Sequence, residues 1–325
     1  MKLSSSKNDL SPFDNIKEHF IKRKKKIKDL SGTNLLNTTL GLHVFESSAN
    51  NNFVADLTLA VSPKIISQVN NSNVSYKLCR DSGKNLQLFV AVISAPSHER
   101  ARLAVRQTWG HFAARRDISI AFIVGSSTNA VYNRKLKREE YMYQDIIRGK
   151  FLDSYRDSTA KAISMLKWIN TYCFKATFVL KVNDNIFINI PRLLTFISTR
   201  NPEQRAIYGR LAIKFRRQRY ERILEYKPTV FPDFVIGPTY LFPTGISKDL
   251  YFAAINHAYV KSDDVFLTGI VANDLQIERI HVPEFFNRYL VLTSCNIERI
   301  VSVRVVNESA QFDLWTKLFK DHTKC

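Results

Sequence analysis

The chain has 325 residues, 45% of them hydrophobic, and a formal net charge of +19. That size and composition give one large or two ordinary domains with a real core, and they exclude a chain disordered throughout. The charge favours an anionic partner such as a phosphorylated substrate, an acidic membrane surface or nucleic acid; no zinc-finger spacing, RNA-binding aromatic pattern or leucine-zipper heptad supports the last.

Residues 1–84 are polar, rich in Asn, Ser and Lys, and carry the basic run "IKRKKKIK" (Ile21 to Lys28). They read as a solvated tail followed by a loosely structured lead-in. No stretch approaches the roughly 20 apolar residues that span a bilayer, so the chain is expected to be soluble. The composition changes at "LQLFVAVIS" (Leu86 to Ser94), a continuous apolar run typical of a strand buried on both faces. Ala95-Pro96-Ser97 then opens a helix with Ser97 as the expected N-cap. "ISIAFIVG" (Ile118 to Gly125) is a second buried strand ending in a glycine turn.

The alternation continues with a charged helix around "NRKLKREEYMY", a short strand at "DIIRG" and an amphipathic helix over "STAKAISMLKWINTY". "ATFVLKV" is the next strand, "PRLLTFIST" the next helix, and "AIYGR" another strand. Strands alternating with helices of this length predict βαβ units and a mainly parallel sheet within one α/β domain over residues 85–325. In such sheets ligands bind beyond the carboxyl ends of the strands. The Ser94-Ala95-Pro96 turn, the Gly125-Ser126 turn and the cluster Asn183-Asp184-Asn185 all fall at such ends and are expected to line one crevice.

Four cysteines, Cys79, Cys173, Cys295 and Cys325, contain no CxxC pair, which argues against metal held by sulfur. Four N-x-S/T sequons, at Asn37, Asn70, Asn73 and Asn307, matter only if the chain enters the secretory pathway.

Several blocks together resemble the β-1,3-glycosyltransferases, the galactosyltransferase and N-acetylglucosaminyltransferase family. "FVAVISAPSHERARLAVRQTWG" is similar to its R-x-x-x-R-x-TWG block, and "ATFVLKVNDNIFIN" to its aspartate-triplet segment. "FPDFVIGPTYLFP" and "SDDVFLTGIV" resemble two later blocks, in the family's order, so the resemblance covers about residues 85–290. It implies a GT-A fold and an inverting β-1,3 transfer of galactose or N-acetylglucosamine from a UDP-sugar to a glycan on protein or lipid. It also implies Mn2+ clamping the diphosphate, and a Golgi-lumenal enzyme anchored to the Golgi membrane. No nucleic-acid partner is expected. Through the same resemblance Cys173 matches the cysteine of a "TYC" element, with Cys79 as its expected disulfide partner.

The resemblance carries roles onto individual residues. Arg102 and Arg106, four apart on one helix face, match the paired arginines and are expected to contact the donor diphosphate; read alone they are equally two solvated arginines. Trp109 is expected in the core. Lys161 matches a lysine near the donor, although Asp157, Ser158, Ala160 and Ala162 depart from the pattern around it, and a solvated helix lysine is the alternative. Asn183 and Asn185 replace the outer acids of the triplet, so only Asp184 keeps a carboxylate. Asn183 and Asp184 are expected near the donor, and Asp184 and Asn185 on a weakened metal site; read alone the cluster is a polar turn. Asp264 matches the catalytic base, with helix capping by Ser262 and Asp263 as the plain alternative. Gly237-Pro238-Thr239 stiffens the acceptor wall, and His281 is a packed or surface histidine or reaches the phosphate. The loss of two acids also leaves open an inactive member that binds glycan, nucleotide or a partner protein.

Overall fold

Leu88–Ile93 form strand β1, and all six residues are buried, as a run apolar at every position requires. The computed structural model describes residues 77–153, 158–213 and 230–319. The chain divides by its internal contacts at Ala60 and Val61, and every described residue falls in the second unit. The basic run, the sequons at Asn37, Asn70 and Asn73, and Asp157 and Cys325 lie outside the described residues.

β1 pairs in parallel with β2 (Ile118–Ser126) and with β4 (Phe178–Asn183), so that Val90 faces Ile120 on one side and Leu180 on the other. β3 (Ile146–Leu152) extends the sheet beyond β2. On the far side come β7 (Phe234–Pro243), β6 (Ala206–Ala212) and β8 (Glu278–His281), giving the order β3-β2-β1-β4-β7-β6-β8. β7 is antiparallel to both neighbours, and the other strands run one way. The expected mainly parallel α/β sheet is thus observed. A second sheet holds β5 (Ile186–Ile188), β9 (Phe285–Tyr289) and β10 (Ser302–Arg304), with β10 in the middle.

Helices cover both faces. Phe89, Ala91 and Ile93 point into a core shared with α3 (Ser158–Tyr172) and α5 (Ser247–Ala254), where Trp168 stacks on Phe89 at 5.1 Å. The alternate β1 residues face the other way, where α1 (Glu99–Gln107) packs against α6 (Glu308–Leu318). α2 (Ala130–Tyr143) and α4 (Ile190–Ser198) lie outside, each capped at its start by an asparagine, Asn129 and Asn189. α3 is not the amphipathic helix expected: ten of its residues are buried, because the sheet lies on one side and α5 on the other.

Three local expectations are corrected. The N-cap of α1 is His98 rather than Ser97, because the Ala95 carbonyl accepts from the His98 N–H and holds Ser97 inside a turn. Residues 77–84, expected in the lead-in, belong to the packed domain, since Cys79 is buried and disulfide-bonded to Cys173. Lys175 and Thr177 N–H groups donate to the Ser82 and Leu86 carbonyls, stitching the same segment to the start of β4. The Gly125-Ser126 turn does not reach the crevice: Asp153 covers it, accepting from the Gly125 N–H at 3.1 Å.

Candidate functional site

A cleft of about 680 Å³ opens at the carboxyl ends of β1 and β4. Its walls are the start of α1, the Asn183-Asp184-Asn185 turn, Gly237-Pro238 of β7, Ser262–Asp264, Arg304 and the start of α6. The turn exists because two apolar runs flank it and enter different sheets, Phe178–Asn183 the large one and Ile186–Ile188 the small one. Its backbone is gripped from both sides. The Asp184 N–H donates to the Ile93 carbonyl at 3.1 Å, and the Asn185 carbonyl accepts from the Val305 N–H at 3.0 Å.

Asp184 Oδ2 accepts from the Ser94 hydroxyl at 2.7 Å and lies 2.9 Å from His98 Nδ1. The hydrogen bond to Asp184 raises the His98 pKa, against burial, which lowers it, and the nearby Asp184 charge adds to the rise. Asn183 Oδ1 and Asn185 Oδ1 are buried and have no hydrogen-bond partner among the described residues. Both residues border the cleft, and their amide oxygens are acceptors without a donor.

As a manganese site this turn is deficient. Among the described residues no three His, Cys, Asp or Glu side chains converge. The one carboxylate is committed to Ser94 and His98, and the two residues flanking it are neutral amides. Divalent cations of this class select anionic oxygen, and two amide oxygens bring none. The residues therefore do not fit the Mn2+ that the resemblance implies at Asp184 and Asn185.

The acidic pair sits across the cleft. Asp263 is 5% exposed and meets Lys181 Nζ at 2.9 Å, while accepting from the Tyr240 hydroxyl at 3.1 Å. Burial alone would push Asp263 up; the Lys181 charge and the hydrogen bonds from Ser158, Lys181 and Tyr240 outweigh it and hold it below the usual aspartate range. Tyr240, fully enclosed beside that carboxylate, is driven well above the usual phenol range by burial and by the Asp263 charge.

Asp264 begins a π-type helix, Asp264–Val271, whose Thr268 hydroxyl donates back to the Asp264 carbonyl at 2.6 Å. Wider turns of this kind recur at functional sites. Asp264 Oδ1 accepts from the Ser262 hydroxyl at 2.5 Å and Oδ2 from the Gly237 N–H at 3.1 Å. Burial, and then the neighbouring Asp263 charge, raise its pKa above the ordinary aspartate value, while Ser262 and the Val265 N–H pull against them. A carboxylate so placed is a stronger base than a free one. Gly237 leaves it room, since a Cβ there would lie 3.3 Å from the Asp264 Cβ.

Arg102 and Arg106 do not face the cleft, which corrects the expectation that they hold the diphosphate. Arg102 is fully buried, donating to Glu139 at 2.8 and 2.6 Å, to Ser94 Oγ and to the Ala95 and Pro96 carbonyls. Arg106 is bound by Glu139 and by both oxygens of Asp145, and its guanidinium lies over the Phe122 and Tyr143 rings. These two arginines brace the β1–α1 turn from behind. Lys161 does reach the cleft wall, but it is buried and paired with Asp153 at 2.8 Å, not solvated. His281 lies outside the cleft, its Nδ1 accepting from the Leu211 N–H. Trp109 is fully buried in the core, as expected.

Sequence reasoning missed Ser94 as an Asp184 partner, and it missed His98, Lys181, Arg100 and Arg304. Lys181 had a visible signal, a lysine inside an otherwise apolar strand run. Arg304 had none, because the β5–β10 pairing alone brings it beside the turn.

The Galactosyltransferase family profile matches residues 100–283. The chain is 28% identical over 243 residues to human "Beta-1,3-galactosyltransferase 5", covering 71% of this chain and 78% of the relative. It is 26% identical over 253 residues to mouse "Beta-1,3-galactosyltransferase 1", covering 74% and 77%. Among solved structures, an active-site mutant of LgtC aligns with a TM-score of 0.41 at 12% identity, covering 73% of this chain and 98% of that one. The matched span runs from Arg100 at the mouth of the cleft past Asp264 on its far wall, and on that footing the chain belongs to the galactosyltransferase family.

Proposed function

We propose that the chain moves galactose or N-acetylglucosamine from a UDP-sugar to a glycan hydroxyl in β-1,3 linkage, with inversion. The observation that carries this reading is Asp264: it lines the same cleft as the Asn183-Asp184-Asn185 turn and has a raised pKa. In a single displacement the acceptor oxygen attacks the anomeric carbon as its proton passes to Asp264. The bond from that carbon to the phosphate oxygen breaks, and UDP leaves. Asn183 and Asp184 lie where they can meet the donor's hydroxyls, and Lys161 is held at the wall by Asp153. In the relatives' names the activity is β-1,3-galactosyl transfer, which supports galactose as the first donor to try.

The setting follows from the same reading. The transferase domain of residues 85–325 extends back to Lys77, and the residues before Lys77 are the lead-in. The Cys79–Cys173 disulfide supports an oxidising compartment, in keeping with the Golgi lumen. No helix among the described residues is long and apolar enough to cross a membrane.

The test is UDP release from UDP-galactose and UDP-N-acetylglucosamine with glycan acceptors, followed by linkage analysis of the product. Asp264→Asn is expected to lower turnover by about 10²–10⁴-fold, the usual contribution of a positioned base, while leaving UDP affinity intact. Undiminished turnover in that variant refutes the role of Asp264. A second reading, a nucleotide- or glycan-binding protein without transfer, is favoured by the amides at Asn183 and Asn185. UDP binding with no turnover across donors and acceptors would select it.

A further inference from the structure

We propose that Arg100 and Arg304 hold the donor diphosphate in this cleft directly, without a divalent cation. This rests on the reading of the cleft as a UDP-sugar site and deepens it. A diphosphate carries charge on each phosphate, and a site built for it must supply compensating positive charge. The turn that would recruit a metal for this purpose has one carboxylate, already engaged by Ser94 and His98. The charge has to come from side chains.

Five Lys and Arg residues line the cleft: Arg100, Lys135, Lys161, Lys181 and Arg304. Three are already matched: Lys161 with Asp153, Lys181 with Asp263, and Lys135 at the rim with Glu99 at 3.4 Å. Arg100 and Arg304 have no carboxylate partner among the described residues, which leaves two guanidiniums for two phosphates. Arg304 is fixed in place. It ends β10 opposite Ile186, one residue before the Val305 N–H that binds the Asn185 carbonyl. Its guanidinium rests 5.3 Å over the Tyr289 ring, and its Nε is buried with no hydrogen-bond partner. A buried donor left unmet is costly unless a ligand completes it.

Arg100 lines the same cleft, exposed in the first turn of α1. The nine-residue α1 directs the positive end of its dipole to the cleft, a further attraction for an anion. Guanidinium forks match phosphate oxygens in pairs. Asn183 Oδ1 and Asn185 Oδ1 then need no metal to explain them: a neutral acceptor beside a fixed arginine suits a hydroxyl of the bound nucleotide sugar.

The test is calorimetric titration of UDP into the full chain, once in EDTA and once in MnCl2. The expected result is the same affinity in both. Arg304→Gln and Arg100→Gln should each weaken UDP by about 10–100-fold, the loss typical of a charge-assisted contact, with Arg304→Lys in between. Arg205→Gln, which removes an exposed charge paired with Asp249 outside the cleft, serves as the control and should change nothing. If Arg304→Gln does not fold, the exposed Arg100 variant carries the test. Binding that requires Mn2+ overturns the inference and leaves hexosyl transfer standing. Metal-independent binding untouched by both arginine variants overturns it too. No UDP binding under either condition overturns both the inference and the donor assignment.

Discussion

Lys181 and Asp263 are 1% and 5% exposed and 2.9 Å apart, so each is the other's main compensation for leaving water. Removing one partner of such a pair costs about 3–5 kcal/mol, because the survivor stays buried and charged. The two halves are not equivalent. Lys181→Met leaves Asp263 with hydrogen bonds from Tyr240 and Ser158, which places the loss near the low end, about 3 kcal/mol. Asp263→Asn leaves Lys181 with the face of the Tyr240 ring at 5.2 Å, a weak substitute, which places the loss at about 5 kcal/mol. For a domain of this size those losses correspond to about 6–12 °C and about 10–20 °C in melting temperature. The double variant Lys181→Met with Asp263→Leu removes both charges and should recover much of the loss. Thermal and urea unfolding of both single variants and the double give the coupling energy. Single variants that each cost less than about 1 kcal/mol, or a double that costs their sum, would refute the argument. The pH dependence gives a second check. Asp263 titrates below its ordinary value in the folded protein, so its stabilisation is present above that value and lost as pH falls through the lowered one. Lys181→Met should move this acid-side loss to higher pH.

Other outcomes follow from the same geometry. Ser262→Ala removes the 2.5 Å hydrogen bond that holds Asp264 down, so its pKa should rise further and the acid limb of kcat/KM against pH should move up. Asp263→Asn should move that limb the other way, because the Asp263 charge is one cause of the rise. Glu139→Gln leaves two enclosed guanidiniums without their shared carboxylate and should cost about 3–5 kcal/mol in unfolding experiments, with UDP affinity unchanged. Reducing the Cys79–Cys173 bond, which closes a sequence separation of 94, should cost about 4–5 kcal/mol, read as a lower melting temperature in reductant.

The buried strands were legible because residues such as Leu88–Ile93 are apolar at every position, a pattern that leaves no solvent face. The place of Asn183-Asp184-Asn185 was legible too, since polarity changes abruptly at a strand end. What the arginines do was not. A spacing of four puts Arg102 and Arg106 on one helix face, but it does not say whether that face meets the ligand or the interior. That was decided by Glu139, 37 and 33 residues away in sequence. Lys181 reads as a break in an apolar run until Asp263 is seen beside it. Arg304 lies beyond the blocks that carried the resemblance, and only the antiparallel pairing of β10 with β5 brings it to the cleft.

The Cys79–Cys173 bond also decides how the domain responds to force. It fastens the chain ahead of β1 to the end of α3, at the end of the sheet opposite the one where Ser94 and Asp184 meet. A pull on the incoming chain is therefore taken by a covalent bond into a helix buried along most of its length. β1, the strand that ends just before Ser94, is not peeled from its neighbours. A pull on the chain ahead of Cys79 is then kept from the strand that leads into the site, and reduction would remove that insulation.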